Sequence, residues 1–256
     1  MTPTPAGAQV VGRLAAVLRT VSGAMPQGIT TTEVARHTGL ARPTVHRLLG
    51  ALVAEGFCDH DHQAGRWLLG PELYLMGAVA AERYDISDMA REHVAALAEA
   101  TGESAFLSAR RGDETVCLLR QDGAFPIRSF VLYEGKRFPL GVASAGIAIL
   151  AFLSAPVVER YLQANDFTER YGDAHSPARL REKVRETRKL GYSVNPGLIV
   201  EGSWGMGAAV FDASGSPAWA LSVTGIESRF TPGRRPELGA LLLHHAHELS
   251  QQLRRG

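Results

Sequence analysis

Hydrogen-bonding side chains near the start of one predicted helix could contact the edges of DNA bases. Arg42, Thr44, His46 and Arg47 surround Pro43. An arginine can bond O6 and N7 of one guanine together, and residues near the start of a recognition helix are the usual base readers. Apolar residues recur at positions 45, 48, 49 and 52, which turns Arg47 to the opposite face with Thr44 and His46 beside it. These five residues are therefore the predicted contacts in a major groove.

The residues before and within this helix predict the scaffold that presents it. Thr30 followed by Glu33 fits a capping box at the start of a short first helix. Gly39 suits the turn, because glycine adopts a left-handed conformation at no side-chain cost. Pro43 belongs in the first turn of the second helix, where its missing N–H is not needed. The pattern is that of a helix-turn-helix.

The residues after the second helix predict a wing. Phe57–His60 and Arg66–Leu69 are interpreted as two short strands, and Arg66 is expected to meet a DNA phosphate. A plain three-helix core is the alternative, but a wing directly after the second helix favours a DNA-binding domain. Residues 1–70 carry six arginines against four carboxylates. Phosphate neutralisation dominates DNA affinity, so this modest charge is better suited to binding as two copies.

The composition describes an ordinary globular protein that is long enough for two domains. Its 256 residues are 45% hydrophobic and carry a formal net charge of +1. No apolar run approaches the roughly 20 residues needed to cross a bilayer, and the first residues lack the features of a signal peptide. The two cysteines show neither a disulfide framework nor metal-ligand spacing. We therefore expect a cytoplasmic protein that needs no membrane, metal or cofactor.

The rest of the chain predicts a linker helix and a sensor domain. Pro71 opens a helix whose apolar residues are exposed unless they meet a partner, so residues 71–86 are interpreted as a linker and dimer contact. Residues 87–256 alternate helices with antiparallel strands, including predicted strands at Ile127–Tyr133 and Gly207–Asp212. One central antiparallel sheet flanked by helices is typical of GAF and PAS sensor domains. The fold class is therefore α+β, with the winged helix-turn-helix domain at residues 1–70.

Three other motifs could carry different chemistry. Gly202–Gly207 has glycines spaced G-x-x-G-x-G, which is not the phosphate-binding order, so a turn against the sheet is favoured. Val142–Gly146 lacks the first glycine of a nucleophile elbow, and no convincing acid and histidine follow it. His244, His245 and His247 share the last predicted helix, but no third metal ligand is evident, so a solvated or interface helix is favoured. An enzyme remains an alternative without an identified nucleophile.

Several segments taken together resemble the IclR family of bacterial transcriptional regulators over nearly the full chain. They are ITTTEVARHTGLARPTVHRLLGALVAEGF, GRWLLGPEL, LAEATGESAFLSARRGDETVCLLR, KRFPLGVASAGIAILAFL, GYSVNPG and AAVFDASGSPAWALSVTGIESRFTP. The resemblance implies an N-terminal DNA-binding domain and a C-terminal GAF-like effector domain. It also implies dimers or dimer pairs on palindromic operators, with a small metabolite or an aromatic compound as effector.

The family's effector pocket is bounded by the sheet, a helix N-terminus and a loop. Carried over by position, that helix starts at Ser144 and Ala145, whose free N–H groups and positive dipole end suit a carboxylate. The resemblance places a polar residue at Asn195, and strand alternation sets Ser222 and Thr224 on one face. The full set of predicted effector contacts is Ile127, Phe130, Ser144, Ala145, Asn195, Gly205, Ser222 and Thr224.

The chain departs from the common family pattern in this region. Gly205 stands where many relatives carry a cysteine, and Trp204 and Met206 add apolar surface beside it. A pocket with fewer charges and more apolar lining favours a larger, partly aromatic acid over a two- or three-carbon acid. The interpretation is a ligand-responsive, DNA-binding transcriptional regulator. The alternatives are an enzyme built on a GAF-like domain and a constitutive DNA-binding protein.

Overall fold

The computed structural model describes residues 8–81, 86–128 and 130–255. The chain divides into two compact units, Met1–Tyr84 and Asp85–Gly256. The helix at residues 71–81 of the predicted linker segment 71–86 belongs to the first unit, and residues 82–85 lie outside the described residues. Its role as a dimer contact stays a prediction. Within the described residues, no helix combines the length and the apolar character needed to span a membrane.

The first unit is a helical core with a small hairpin. Its elements are α1 (Ala8–Ser22), α2 (Thr31–Thr38), α3 (Arg42–Ala54), β1 (Cys58–Asp61), β2 (Arg66–Leu69) and α4 (Pro71–Ala81). Strands β1 and β2 pair antiparallel, with Cys58 opposite Leu69. The predicted helix-turn-helix and wing are therefore confirmed.

Local chemistry explains where α2 begins and ends. The Thr30 amide donates to the Glu33 carboxylate at 2.9 Å, and the Glu33 amide donates to the Thr30 hydroxyl at 3.3 Å. This reciprocal pair is the predicted capping box, and it satisfies amides that the helix leaves unpaired. At the other end Gly39 has φ 68°, the left-handed conformation that the turn requires. Val45 and Leu49 of α3 then pack with Val34 of α2 in one buried cluster.

The second unit is one six-stranded antiparallel sheet between two layers of helices. Its strands are β3 (Ser104–Arg111), β4 (Glu114–Gln121), β5 (Arg137–Pro139), β6 (Tyr192–Pro196), β7 (Ser203–Phe211) and β8 (Pro217–Ile226). They lie in the order β5-β4-β3-β8-β7-β6. Its helices are α5 (Ile86–Thr101), α6 (Ser144–Phe152), α7 (Ala155–Ala164), α8 (Thr168–Tyr171), α9 (Pro177–Leu190) and α10 (Arg235–Arg255).

Strand alternation gives each face of the sheet its own apolar layer. Leu107, Met206 and Leu221 point to one face and pack with α5 and α10. Ala209 and Ala220 point to the other face and pack with α6, α7 and α9. The predicted α+β class, with a central antiparallel sheet flanked by helices, is confirmed.

One strand prediction was wrong, and another strand begins earlier than predicted. None of the described residues of Ile127–Tyr133 lies in a strand, and Ser129 lies outside the described residues. The edge of the sheet is instead formed by β5, where Phe138 pairs with Thr115. The predicted strand Gly207–Asp212 begins earlier, at Ser203, because the glycine-rich segment pairs with both β6 and β8.

The glycines of that segment allow a helix to approach the sheet. A Cβ at Gly207 would lie 3.2 Å from the backbone carbonyl carbon of Ser144, at the start of α6. A side chain there would require α6 or the strand to shift by a few tenths of an ångström. Most of the glycine-rich segment is therefore part of strand β7, against the start of α6, rather than the predicted turn.

One buried cation gives a testable prediction for stability. The Lys183 Nζ atom is buried and has no hydrogen-bond partner among the described residues. Burial lowers the pKa of Lys183 from 10.5 to about 8, an effect that Glu186 opposes. In the unfolded chain a lysine keeps its proton to about pH 10.4. Between these two pH values the unfolded state binds more protons, so the free energy of unfolding rises with pH.

We expect Lys183→Met to stabilise the protein at pH 7. The gain in the free energy of unfolding should be about 1–2 kcal/mol. This is less than the full pKa shift implies, because part of the lysine side chain stays in contact with water. It should shrink as the pH is raised from 8 to 10, where the wild-type lysine becomes neutral in the folded state. Urea unfolding at pH 7 and pH 10 measures both values. The exposed Lys189→Met on the same helix is the matched control, and an equal gain from it would contradict the assignment.

Candidate effector cavity and DNA-binding surface

The predicted DNA contacts of α3 lie on its solvent-facing side. Arg42, Pro43, His46 and Arg47 are exposed, and Thr44 is half-buried. Pro43 occupies the first turn, as predicted, and no side chain caps the helix start. The free backbone amides of such a helix start are donors for a phosphate. The face has the donors that a major-groove reader needs.

The wing is joined to α3 through Trp67. The His60 ring stacks on the Trp67 ring with centroids 4.0 Å apart, and the His46 ring meets it edge-on at 6.0 Å. The Trp67 Nε1 atom donates to the Thr31 hydroxyl at 2.9 Å. The pKa of His60 is lowered first by burial and then by His62 and His46. The His60 and Trp67 rings thus stack across the two strands of the wing, and the edge-on contact of His46 with Trp67 links the wing to α3.

Arg66 has an intramolecular partner. One terminal nitrogen of its guanidinium donates to the Gly28 carbonyl at 2.8 Å. This bond ties the base of the wing to the loop before α2. The predicted phosphate contact of Arg66 stays a prediction, to be made by the remaining donors of the group.

A small cavity lies beside the start of α6 in the second unit. It encloses about 30 Å³. Its lining residues come from the sheet, the start of α6 and two loops: Ser108, Thr115, Val131, Leu132, Phe138, Ala143, Ser144, Ala145, Asn195, Ile199, Ser203, Trp204, Gly205 and Thr224. Five predicted effector residues are among them: Ser144, Ala145, Asn195, Gly205 and Thr224.

The start of α6 supplies unpaired backbone donors to this cavity. Ala143 is the N-cap residue, and no side chain caps the helix. Ser193 and Asn195 hold the preceding turn: the Ser193 hydroxyl donates to the Ser144 carbonyl, and the Asn195 amide donates to the Val142 carbonyl, both at 2.7 Å. The polar group predicted at Asn195 thus positions the helix start, in addition to lining the cavity.

Only one of the two predicted hydroxyls reaches the cavity. Thr224 pairs with Gly205 at the open end of the strands, whereas Ser222 pairs with Gly207, which α6 covers. Both hydroxyls are buried without a hydrogen-bond partner among the described residues. The two side chains lie on one face of the sheet, as strand alternation predicted. Ser222 does not line the cavity, because α6 packs closely against the strands at that point.

Ile127 and Phe130 also lie outside the cavity. Their side chains are 57% and 75% exposed, because the segment that carries them is not a strand. Phe130 lines an open groove of about 630 Å³ that shares Val131 and Ser203 with the cavity. The groove is thus the approach to the cavity. Phe130 belongs to this mouth, and Ile127 lines neither space.

The lining is mostly apolar, with hydroxyl and amide groups but no charged side chain. Among its described residues there is no lysine, arginine, histidine, cysteine or carboxylate. The positive end of α6 is therefore the dominant electrostatic feature of the cavity. The sequence analysis missed Ser108, Thr115 and Phe138, which reach the cavity from β3, β4 and β5. Strand alternation predicts which face of the sheet these side chains lie on, but no local sequence pattern predicts that a pocket forms there.

Comparison with known families covers both units. Residues 10–62 match the model of the IclR helix-turn-helix domain. Residues 78–251 match the model described as bacterial transcriptional regulator IclR C-terminal. The two matches join the recognition helix and the cavity in one known arrangement of domains.

Individual relatives and solved structures agree with these matches. The chain is 31% identical to the HTH-type transcriptional regulator BhcR of Paracoccus denitrificans, over 89% of this chain and 81% of the relative. It is 27% identical to the transcriptional repressor IclR of Escherichia coli, over 87% and 82%. The solved structure of a regulator from Alicyclobacillus acidocaldarius matches with TM-score 0.80 at 26% identity, covering 96% of this chain and 98% of that one.

A second solved structure shares the fold. It is an IclR homolog from Microbacterium hydrocarbonoxydans in complex with 4-hydroxybenzoate, with TM-score 0.78 at 21% identity, covering 96% of this chain and all of that one. The family models together span most of the chain, and the exposed face of α3 and the cavity beside α6 fall within them. The chain therefore belongs to the IclR family of bacterial transcriptional regulators.

Proposed function

We propose that this regulator changes its occupancy of a palindromic operator when a small aromatic carboxylic acid binds beside α6. The observation that carries the proposal is the uncapped start of α6, which faces an uncharged cavity. A carboxylate would accept hydrogen bonds from the first amides of α6. The aromatic side chains of Phe138 and Trp204 would contact the ring, and the Thr224 hydroxyl would supply a polar contact. The relative from Microbacterium, which holds 4-hydroxybenzoate, supports this class of ligand.

Binding requires the cavity to widen. Sites for small organic ligands usually measure roughly 300–1,000 Å³, and this cavity encloses about 30 Å³. Val131 and Ser203 separate it from the outer groove, so displacement of these two residues would merge the spaces. A ligand that binds the wider form more tightly would shift the population toward that form. This difference in affinity is the proposed source of the DNA response.

On DNA, two copies would place their α3 helices in successive major grooves, about 34 Å apart. Helix α4 is the proposed contact between copies, because four of its apolar side chains are 52% to 78% exposed: Tyr74, Leu75, Met76 and Val79. A second copy of the same helix would remove this surface from water. A dimer or a pair of dimers would result, acting in the cytoplasm where the DNA lies.

The two alternative functions receive less support. An enzyme would need a nucleophile or an acid–base pair, and the described lining of the cavity carries no cysteine, histidine or carboxylate. We infer that the protein is not an enzyme. A constitutive DNA-binding protein would have no use for the buried, unpartnered Thr224 hydroxyl beside an uncapped helix.

We expect Gly205→Ala to weaken binding of an aromatic acid about tenfold or more. The new Cβ would lie 3.1 Å from the Ser144 hydroxyl oxygen and 3.4 Å from the Thr224 methyl carbon, so it would fill the cavity. Thermal shift with 4-hydroxybenzoate measures the loss, because a ligand that binds the native state raises its stability. Gly215 is remote from the cavity, but its φ of 79° would strain an alanine, so Gly215→Ala is unsuitable as a control. Ser222→Ala, on the same face but outside the cavity, is therefore the better control.

The function itself is tested by a footprint on the DNA upstream of the regulator's own gene. We expect protection of a palindrome, altered by 4-hydroxybenzoate in the wild type and unaltered in Gly205→Ala. Glyoxylate and pyruvate are the comparison ligands. Response to these small keto acids alone would reject the aromatic class, and a footprint that no ligand alters would favour the constitutive alternative.

A further inference from the structure

Two histidines and a glutamate from opposite ends of the second unit meet between α5 and α10. His93 of α5 is buried, His245 of α10 is partly buried, and Glu248 lies one turn after His245. The Nδ1 atoms of the two histidines are 3.1 Å apart. A Glu248 carboxylate oxygen lies 4.0 Å from Nδ1 of His93. One ligand atom from each of the three residues fits within a span of 4.8 Å.

This spacing matches the demands of a tetrahedral metal ion. Zinc binds histidine nitrogens at about 2.0–2.1 Å, so two such nitrogens lie about 3.3 Å apart around one ion. The Nδ1 atoms of His93 and His245 are separated by nearly that distance, 3.1 Å. Glu248 is 46% exposed, which leaves a path from solvent to the cluster and a fourth position for water. Two histidines and a carboxylate with one open position are a known zinc-ligand set.

The surroundings also suit ligation. The Nε2 atom of His93 lies 3.4 Å from the side-chain oxygen of Gln252, which would accept a hydrogen bond from Nε2–H and leave Nδ1 unprotonated and free to bind. Histidine ligands usually donate their other N–H in this way.

We propose that His93, His245 and Glu248 bind one divalent transition-metal ion of the zinc class, which ties α5 to α10. The cluster lies on the α5–α10 side of the sheet, away from the cavity beside α6. Helix α5 begins at Ile86, directly after the boundary between the two units. The ion would stabilise the helix that leads into the second unit. His244, whose Nε2 lies 3.4 Å from the same Glu248 oxygen, would orient the carboxylate.

Cobalt(II) titration of the full-length, chelator-treated protein tests the proposal. We expect one equivalent per chain to give the visible absorption of tetrahedral cobalt, and zinc to displace it. His93→Gln and His245→Gln should each weaken binding at least 100-fold. Glu248→Gln changes a half-exposed carboxylate and is expected to fold normally, so it keeps the test valid if a histidine variant is unstable. It should weaken binding about tenfold.

Two variants serve as matched controls. His247→Gln alters an exposed histidine on the same helix, and its ring contacts Gln251 rather than the cluster. A His60→Gln, His62→Gln double variant removes the paired rings of the wing, whose centroids are 4.3 Å apart. Both should bind cobalt like the wild type. The proposal would be overturned if the wild type bound no cobalt at 50 µM. It would also be overturned if both Glu248→Gln and His245→Gln kept full binding, or if only the wing variant lost it.

Discussion

Replacing Arg47 by alanine is expected to weaken operator binding about 30-fold to 20,000-fold. Arg47 is exposed on α3, one turn after Pro43, and its guanidinium has no hydrogen-bond or ion-pair partner among the residues that the structure describes. A bidentate arginine–guanine contact contributes about 1–3 kcal/mol of discrimination. A dimer on a palindrome would lose this contact twice. The expected loss of binding free energy, summed over both half-sites, is about 2–6 kcal/mol. Each 1.4 kcal/mol corresponds to about a tenfold change in affinity.

Mobility-shift titrations on the operator and on a scrambled duplex, at one salt concentration, measure this effect. The variant should lose its preference for the operator, while its affinity for the scrambled duplex falls only slightly. Arg179→Ala is the charge-matched control, because Arg179 is an exposed residue of α9 paired with Glu182. It should leave both affinities unchanged. An Arg47→Ala variant that keeps its operator preference would show that α3 does not lie in the groove as proposed.

Removing both arginines around Glu103 is expected to destabilise the second unit by about 3–5 kcal/mol. The Glu103 side chain is 1% exposed, and one of its oxygens accepts bonds from Arg229 at 2.7 Å and Arg234 at 2.8 Å. Both arginines also donate to the Thr101 carbonyl. Arg229→Met with Arg234→Met would leave the carboxylate buried without a counter-charge. Loss of one partner from a buried ion pair is strongly destabilising for this reason.

Urea unfolding followed by circular dichroism measures that loss. Adding Glu103→Gln to the double variant should recover part of it, because the buried charge is then removed. Gly225 leaves room for the carboxylate, since a Cβ there would lie 2.2 Å from a Glu103 oxygen. Arg179→Met, which breaks an exposed pair, should change stability by less than about 1 kcal/mol. If the triple variant were no more stable than the double, the uncompensated charge would not be the cause.

Local signals predicted the first unit well because its chemistry is local. The capping bonds of α2 join residues three apart, and the wing strands follow α3 directly. The face that Arg47 occupies follows from the helical period alone. Trp67, which joins the wing to α3, carried no such signal, because its stacking partner and its hydrogen-bond partner come from different elements.

In the second unit, periodicity predicted the faces of strands but not which points on a face stay open. Ser222 and Thr224 share a face, yet α6 covers the strands beside Ser222 and leaves Thr224 at the cavity. The sequence predicts Phe130 on the wall of the cavity because it predicts a strand at Ile127–Tyr133. That segment forms no strand in the described residues, and the sheet continues through β5 instead.

The amino-acid sequence alone determined the recognition helix and the wing. Each of these depends on residues within a few turns of one another, where period, capping and turn chemistry act directly. Only the tertiary structure decided the cavity lining and the meeting of His93 with His245, which are 152 residues apart. Such contacts depend on how closely helices and strands pack, and that distance is set by side chains from distant parts of the chain.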